Sequence, residues 1–230
     1  MNLRLENLTQ SYQSPTGEAR TVIQIKEWSI EAGQQILIRG VSGSGKTTLF
    51  NMIAGLLRPT TGHVWMDNQS FYALPEALRD RVRARTIGYV FQNHYLIHSL
   101  TALENVVMPL AFDRVLPSSQ WRNHAQELLE KVGIGEFSRY KPKQLSTGQR
   151  LRVAIARALA NNPRIVLADE PTVALDEESG TTVMGFLQQT CRDNNAILIV
   201  ASHDPSLFQR FSTSADLKRG KLSWNKPEAV

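Results

Sequence analysis

The feature that most constrains this chain is a glycine-rich segment between a short apolar run and a helix-compatible stretch. After the apolar residues 36–38, the sequence GVSGSGKT at 40–47 fits the pattern G-x-x-x-x-G-K-[ST] of a phosphate-binding loop. Glycines let the backbone curl so that successive N–H groups point at phosphate oxygens, and the helix start that follows adds unpaired donors. A merely flexible Gly/Ser-rich loop is the alternative, and the flanking strand and helix patterns disfavour it.

The segment therefore predicts a nucleotide site. Lys46 is expected to reach the β- and γ-phosphates, and the Thr47 hydroxyl is expected to hold Mg²⁺. The predicted phosphate-binding positions are Gly40, Ser42, Gly43, Ser44, Gly45, Lys46, Thr47 and Thr48.

Length and composition indicate a globular protein with a sizeable core. The 230 residues suit one large α/β domain or one domain with an insertion, and 42% hydrophobic with 20% charged residues is ordinary for a soluble chain. The apolar run at 196–201 is far shorter than the roughly 18 residues of a membrane span, and the N-terminus lacks the apolar core of a signal peptide. The single cysteine, Cys191, excludes an intrachain disulfide. A cytoplasmic location is expected.

The positive net charge permits an acidic partner without identifying one. The charge is +5 and the pI is about 9.5. The densest basic run holds Arg79, Arg81, Arg83 and Arg85. A solvated face is the simplest interpretation, and contact with lipid headgroups or a protein partner is the alternative. Because neither aromatic interleaving nor a nucleic-acid motif accompanies the run, no nucleic-acid partner is expected.

Hydrophobic patterning predicts strands toward both ends of the chain and helices in its middle third. The strand-like stretches are 2–8, 21–30, 36–38, 63–66, 87–91, 165–168 and 196–200, and the helical ones are 48–57, 121–132, 151–160 and 177–192. Alternating strands and helices imply a parallel sheet, and the last two strands are apolar enough to be buried on both faces. We therefore expect a parallel α/β core from residues 1–92 and 161–230, with a helical insertion at 93–160.

Two carboxylates end one of these buried strands. Ligands of α/β sheets bind at the carboxyl edge, where Asp169 is placed to hold Mg²⁺ directly or through water. Glu170 could orient and polarise a water for attack on the γ-phosphate. An acidic loop or helix cap would be the ordinary interpretation of Asp-Glu alone, and the phosphate loop in the same chain disfavours it.

Two more side chains follow strands. His203 could donate a hydrogen bond to the γ-phosphate, and Gln92 could touch both Mg²⁺ and the attacking water. A lone His after a strand is more often an incidental surface residue, and a lone Gln would have no role. Both assignments therefore depend on the phosphate loop and the carboxylates.

The sequence LSTGQ at 145–149 has two interpretations. Ser146 as N-cap, with Gln149 three residues later, predicts a capping box at the start of a helix, which is a complete local explanation. A helix N-terminus that carries Ser and Gly148 is also an anion site, and Lys141 and Lys143 precede it.

Together these motifs resemble the nucleotide-binding subunits of ATP-binding cassette (ABC) transporters over almost the whole chain. The similar segments are the Walker A loop at 40–47, the Q-loop at Gln92, the signature motif at 145–149, the Walker B strand at 165–170, the D-loop at 174–176 and the switch histidine at His203. Tyr12 lies where the family places an aromatic that stacks on adenine. The spacing at 91–96 and 100–106 is similar to the branch of lipoprotein-release, macrolide-export and cell-division ATPases.

The resemblance implies a P-loop NTPase core with a mainly parallel sheet, a small antiparallel β subdomain and an inserted helical subdomain. It implies that ATP and Mg²⁺ bind, that Lys46, Gln92, Glu170 and His203 are catalytic, and that Thr47, Gln92 and Asp169 hold the metal. It also implies a second ATPase subunit, as a homodimer in the ATP-bound state, facing the first head to tail. The signature residues that would reach the γ-phosphate on the facing subunit are Ser146, Gly148 and Gln149.

Two residues depart from the family's usual pattern. Thr147 stands where the family usually has Gly, and it adds a side chain at a point of close approach between backbone and phosphate. Val173 stands where a small residue is usual, and it adds bulk at the expected subunit contact. Both departures bear on the rate and on the tightness of closure, because neither removes a donor or a catalytic carboxylate.

The expected function is ATP hydrolysis that powers a separate transmembrane permease in export, lipoprotein release or mechanotransmission. The subunit would then lie on the inner face of the cell membrane, and the substrate path would belong to the partner. A soluble cassette ATPase without transport is the alternative, disfavoured because the chain has neither long coiled coils nor a second cassette. A regulatory protein that binds ATP without hydrolysis is disfavoured because Glu170 and His203 are both present.

Overall fold

The computed structural model describes residues 1–13, 17–113, 116–173 and 175–225. Within these residues the strands and α-helices follow one another as β1 (Leu3–Gln13), β2 (Ala19–Ile30), β3 (Gln35–Arg39), α1 (Lys46–Ile53), β4 (Thr61–Met66), β5 (Gln69–Ser70), α2 (Glu76–Thr86), β6 (Ile87–Val90), α3 (Ala102–Asp113), α4 (Trp121–Lys131), α5 (Thr147–Leu159), β7 (Ile165–Asp169), α6 (Glu177–Asp193), β8 (Ile197–Ser202), β9 (Thr213–Lys218) and β10 (Lys221–Asn225). In this part of the chain, no helix combines the length and apolarity that crossing a membrane requires.

The strands form two sheets. The larger has the order β10-β9-β3-β8-β7-β6, and its neighbours are parallel except for β10, which pairs antiparallel with β9. The smaller is antiparallel throughout, with the order β2-β1-β4-β5. The predicted combination of a mainly parallel sheet and a small antiparallel part is confirmed.

The larger sheet separates two hydrophobic cores. Along β3, Ile36 and Ile38 pack into the core shared with α1 and the small sheet, whereas Leu37 packs into the core shared with α3–α6. Strands β7 and β8 alternate in the same way, and every one of their residues is buried. Burial on both faces, predicted from their unbroken apolar runs, is confirmed.

The helices of the middle third pack against one another and onto one face of the larger sheet. Apolar residues of α3, α4 and α5 join a single core with those of α6. Helix α3 also contacts α2, and α5 contacts β6. The division into a core at 1–92 and 161–230 and a helical part at 93–160 stays a prediction.

Several predicted boundaries were wrong. Helix α1 ends at Ile53, short of residue 57, because Gly55 adopts a left-handed conformation (φ +72°) and its amide bonds back to Met52. Strand β1 extends beyond residue 8 to Gln13, since it pairs with β2 along its whole length.

Candidate nucleotide site

The phosphate loop connects β3 to α1, and its backbone requires glycine at two positions for different reasons. A Cβ on Gly40 would lie 2.6 Å from Ser44 Oγ. Gly45 has φ +105°, and a Cβ there would lie 2.8 Å from Ile23 Cδ1. The loop backbone therefore packs closely against Ser44 of the loop itself and against Ile23 of β2, and these contacts fix its curvature.

Lys46 is the first residue of α1 and its side chain runs back through the loop. Its Nζ donates to the Gly40 carbonyl at 2.6 Å and lies 3.3 Å from Glu170 Oε1. Only 7% of its surface is exposed. The ammonium group is thus fixed inside the loop by partners from both edges of the site.

Glu170 follows β7 and is held on three sides. Ser202 Oγ donates to its Oε2 at 3.0 Å, and His203 Nδ1 lies 2.8 Å from its Oε1. The third partner is Lys46. The backbone of Glu170 is left-handed (φ +51°), a conformation that costs a non-glycine residue on the order of 1–3 kcal/mol and that commonly marks functional sites.

Asp169 is 2% exposed, and Thr47 Oγ1 donates to its Oδ2 at 2.6 Å. Burial raises the pKa of Asp169, and the nearby negative charge of Glu170 raises it further, whereas the hydrogen bond from Thr47 and the charge of Lys46 lower it. The described residues include no group of three or more His, Cys, Asp or Glu that could hold a metal by itself. A hydroxyl and a carboxylate oxygen suit Mg²⁺, which takes its remaining ligands from water and phosphate.

These side chains line one cavity of about 220 Å³. Its lining consists of Val22, Ser42, Gly43, Ser44, Gly45, Lys46, Thr47, Thr48, Gln92, Asp169, Glu170 and His203. The buried Ser44 Oγ has no hydrogen-bond partner within the described residues, as expected of a donor kept for a ligand. The structure thus brings together the phosphate loop and all four side chains predicted after strands β6, β7 and β8.

A second cavity of about 780 Å³ adjoins the other side of the phosphate loop. Val22 lines both cavities, and Arg20 lines the larger one. Tyr12 is opposite Arg20 in the β1–β2 ladder and is about half exposed, but it lines neither cavity. Its stacking on adenine stays a prediction.

Sequence reasoning missed the two residues that complete this site. Ser202 is fully buried and holds the Glu170 carboxylate, and its only signal was its place directly before His203. The pattern at 21–30 predicts a strand that includes Val22, and no local signal marks the approach of this residue to the loop.

The predicted capping box of α5 is confirmed. Ser146 Oγ accepts from the Gln149 amide at 3.2 Å, and the Ser146 amide donates to Gln149 Oε1 at 2.8 Å. Among the described residues that line the two cavities, none comes from the segment 145–149. The structure therefore does not bring Ser146, Gly148 and Gln149 to the phosphate cavity of the same chain.

The two departures lie on the surface. Thr147 Oγ1 accepts from Arg150 Nη2 at 2.8 Å, while Nη1 of the same arginine donates to the Leu145 carbonyl at 3.0 Å. Val173 is 59% exposed. Of the D-loop residues, Ala174 lies outside the described residues, and Asp176 caps α6 through a hydrogen bond from the Ser179 amide.

The comparisons with known proteins agree with this geometry. Residues 23–173 match the family described as "ABC transporter", and the chain belongs to that family. It is an ATP-binding and ATP-hydrolysing subunit of an ABC transporter, the class that powers a separate transmembrane partner, and the alternative without transport is not favoured.

The relatives are similar over nearly the full chain. The lipoprotein-releasing system ATP-binding protein LolD of Hydrogenovibrio crunogenus is 41% identical, over 95% of this chain and 94% of its own. LolD of Xanthomonas campestris is 40% identical, over 99% of this chain and 95% of its own. The solved dimer of the ATP-binding cassette MJ0796, in a post-hydrolysis state with ADP and Pi, matches with a TM-score of 0.93 and 37% identity, over 99% of this chain and all of that one.

Proposed function

We propose that two copies of this chain bind Mg·ATP between them, hydrolyse it, and thereby drive a transmembrane partner that releases lipoproteins. Each ATP would lie between the phosphate loop of one copy and the segment 145–149 of the other. The observation that carries this proposal is the separation, within one chain, of a complete phosphate cavity from Ser146, Gly148 and Gln149. The dimeric state of the similar cassette MJ0796 supports it.

In this proposal Glu170 accepts a proton from the attacking water. The carboxylate is paired with Lys46, for which phosphate oxygens are strong charge-assisted partners. Nucleotide binding would therefore release Glu170 from Lys46, while Ser202 and His203 keep it in place. Mg²⁺, held by Thr47, Asp169 and Gln92, would neutralise charge on the phosphate oxygens.

We further propose that a helix or loop of the transmembrane partner docks in an apolar groove of about 280 Å³ beside this site. The apolar groove is lined by residues of α2, α3, α5 and β6 and of the segments that follow α1, β6 and α5. Among them Leu56, Tyr95 and Phe112 are each at least half exposed. Solvent-exposed apolar side chains in one groove mark an interaction surface. Phe91, which also lines the groove, directly precedes Gln92, which lines the phosphate cavity. A partner docked against Phe91 would therefore contact the residue next to Gln92 in the chain.

Lipoprotein release is supported by the LolD relatives, which are about 40% identical over almost the whole chain. The test is purification of the tagged chain from membranes, identification of the bound membrane protein, and reconstitution of both in vesicles that carry a lipidated protein. ATP should release the lipidated protein from these vesicles. A partner that transports another substrate would contradict the lipoprotein part alone.

The paired site is tested with Glu170→Gln, which keeps the shape of the side chain and removes its ability to accept a proton. Loss of a general base typically lowers turnover by about 10²–10⁴-fold. ATP binding should persist, because Lys46 and Thr47 are unchanged. Light scattering should then show dimers with ATP, and monomers with ADP or without nucleotide. Near-normal phosphate release would remove Glu170 from its role, and a monomer that binds ATP would contradict pairing of the isolated subunits.

A further inference from the structure

Helix α5 carries a buried positive charge that pairs with no carboxylate among the described residues. Arg157 lies in its C-terminal half and is only 9% exposed. Among the described residues, none of the ion pairs includes Arg157. Burial lowers the pKa of Arg157 to about 10, so the guanidinium keeps its charge at neutral pH. A buried charge without an ion partner must be stabilised by hydrogen bonds, and these are the informative contacts.

Both acceptors of Arg157 are main-chain carbonyls from one distant turn. Its Nη1 donates to the Tyr95 carbonyl at 2.7 Å, and its Nη2 donates to the His94 carbonyl at 2.6 Å. His94 and Tyr95 are consecutive residues with left-handed backbones, at φ +59° and +45°. Two such residues in a row are strained, and they persist only when their surroundings hold them. The fork of the guanidinium matches two adjacent carbonyls, which makes Arg157 the side chain that holds this turn.

The turn joins two parts of the proposed machinery. It begins directly after Gln92, which lines the phosphate cavity, and it includes Tyr95, which lines the apolar groove together with Arg157 itself. The N-terminus of the same helix α5 carries Ser146–Gln149. Because an α-helix is a stiff rod that rises about 1.5 Å per residue, a shift of the turn that keeps both hydrogen bonds must also move that N-terminus.

We propose that Arg157 is a positioning residue that ties the turn after Gln92 to helix α5, so that events in the apolar groove and the placement of the signature residues change together. The inference rests on the proposed function for the roles of Gln92 and the groove. The two hydrogen bonds that connect Arg157 to the turn lie within this chain, and their effect on the turn can be measured without ATP or the partner. If the turn moved alone, the buried guanidinium would lose both acceptors, which is the physical reason why the two elements move as one.

The test compares three variants. Arg157→Met keeps the aliphatic stem without donors, Arg157→Lys keeps the charge but cannot reproduce the fork, and Arg192→Met is the control at an exposed arginine of α6. Hydrogen exchange without nucleotide reports on the turn, because the amides of His94 and Tyr95 are hydrogen-bonded within it. We expect these two amides to exchange about tenfold faster or more in Arg157→Met, with Arg157→Lys in between and the control unchanged.

An internal control and a kinetic readout separate positioning from general destabilisation. The Ile97 amide, which the side chain of Asn105 holds independently, should keep its protection in all variants. With ATP, kcat should fall roughly tenfold or more in Arg157→Met while KM stays within about twofold, since misplacement of catalytic groups affects turnover. If the Met variant does not fold, the Lys variant carries both measurements.

Hydrogen exchange and kcat together decide whether Arg157 positions the turn. Faster exchange at His94 and Tyr95 with lower kcat supports the inference. Exchange within about twofold of wild type overturns it whatever the turnover, and faster exchange with normal kcat overturns the positioning role. Failure of the proposed function would instead be seen as normal hydrolysis by Glu170→Gln, which leaves the exchange result untouched.

Discussion

The phosphate cavity and the N-terminus of α5 both present donors to anions, but they are built in opposite ways. In the cavity, buried charges from two distant segments are paired with one another, as Lys46 is with Glu170. At α5, exposed polar groups are satisfied within four residues by the capping box of Ser146 and Gln149. The cavity is thus organised by tertiary structure, whereas the helix start would exist without it.

This difference suits the proposed arrangement, in which one chain holds half of each of two sites. A buried charge network is stable only when its geometry is complete, so the cavity depends on contacts between distant segments of the chain. The hydrogen bonds of a capping box lie within its own helix. The start of α5 can therefore be stable without contacts to a ligand, and it remains available to bind a ligand held by another chain. The following experiments perturb the two regions, beginning with the largest expected effect.

Lys46→Ala should disrupt the cavity most. It removes the ammonium from inside the phosphate loop, so hydrolysis should be abolished and ATP binding weakened by roughly 1.5–3 kcal/mol, the value of one charge-assisted contact. The variant should also melt at a lower temperature, since Glu170 stays buried without its cation. ATP titration, phosphate release and thermal melting check this, with Lys221→Ala on exposed β10 as the control. Unchanged affinity and turnover would contradict the assignment of the cavity.

A mixture of two inactive variants tests whether the regions meet across two chains. Ser146→Gly should lower turnover by about 100-fold through loss of a positioned donor, while Gly at an N-cap costs only a few tenths of a kcal/mol. When Ser146→Gly chains are mixed with Lys46→Ala chains, a dimer with one chain of each kind has one site in which Lys46 and Ser146 are both intact. An equal mixture should therefore recover roughly a quarter of wild-type phosphate release, as two-fold pairing requires. Activity equal to the sum of the separate variants would show that both residues act within one chain.

The sequence was informative where the chemistry is local. The phosphate loop, the Asp169–Glu170 pair at a strand end and the Ser146 capping box each lie within a few consecutive residues, and the structure contains all three. The buried strands β7 and β8 were recognisable because burial on both faces demands an unbroken apolar run.

What the sequence concealed depends on contacts between distant segments. Ser202 holds Glu170 from 32 residues away, and Arg157 reaches Tyr95 from 62 residues away. Helix α2 escaped prediction because its arginines interrupt its few apolar residues: Val82 is only partly buried against the core, and the buried residue of the helix is Thr86. The β9–β10 hairpin joins the larger sheet because β9 pairs with β3. No sequence pattern within 213–225 predicts this pairing.

A smaller effect is expected from the pH dependence of stability, which reports on the cost of keeping the buried Asp169 carboxylate charged. Because the pKa of Asp169 is raised on folding, its favourable contribution is complete below the unfolded value of about 3.9 and is lost as pH rises through the folded value. Asp169→Asn removes the charge and keeps an acceptor for Thr47, so without nucleotide it should melt above wild type at pH 7. The gain should shrink toward about pH 4. A variant that melts lower at pH 7 would contradict net strain at Asp169.

The smallest expected effect concerns Thr147, where the family usually has Gly. Its hydroxyl is engaged by Arg150 along the helix surface, so the side chain has a local role in the first turn of α5. Thr147→Gly should therefore leave ATP turnover unchanged and lower stability by up to about 1 kcal/mol, the difference in helix propensity, plus the lost hydrogen bond. Turnover and melting temperature measured together separate this from crowding of the γ-phosphate on the facing subunit. Thr147→Ser, which keeps the hydroxyl for Arg150, is the matched control and should resemble wild type in both. Altered turnover at an unchanged melting temperature would instead place Thr147 in the composite site, and the helix start could then no longer be regarded as locally self-sufficient.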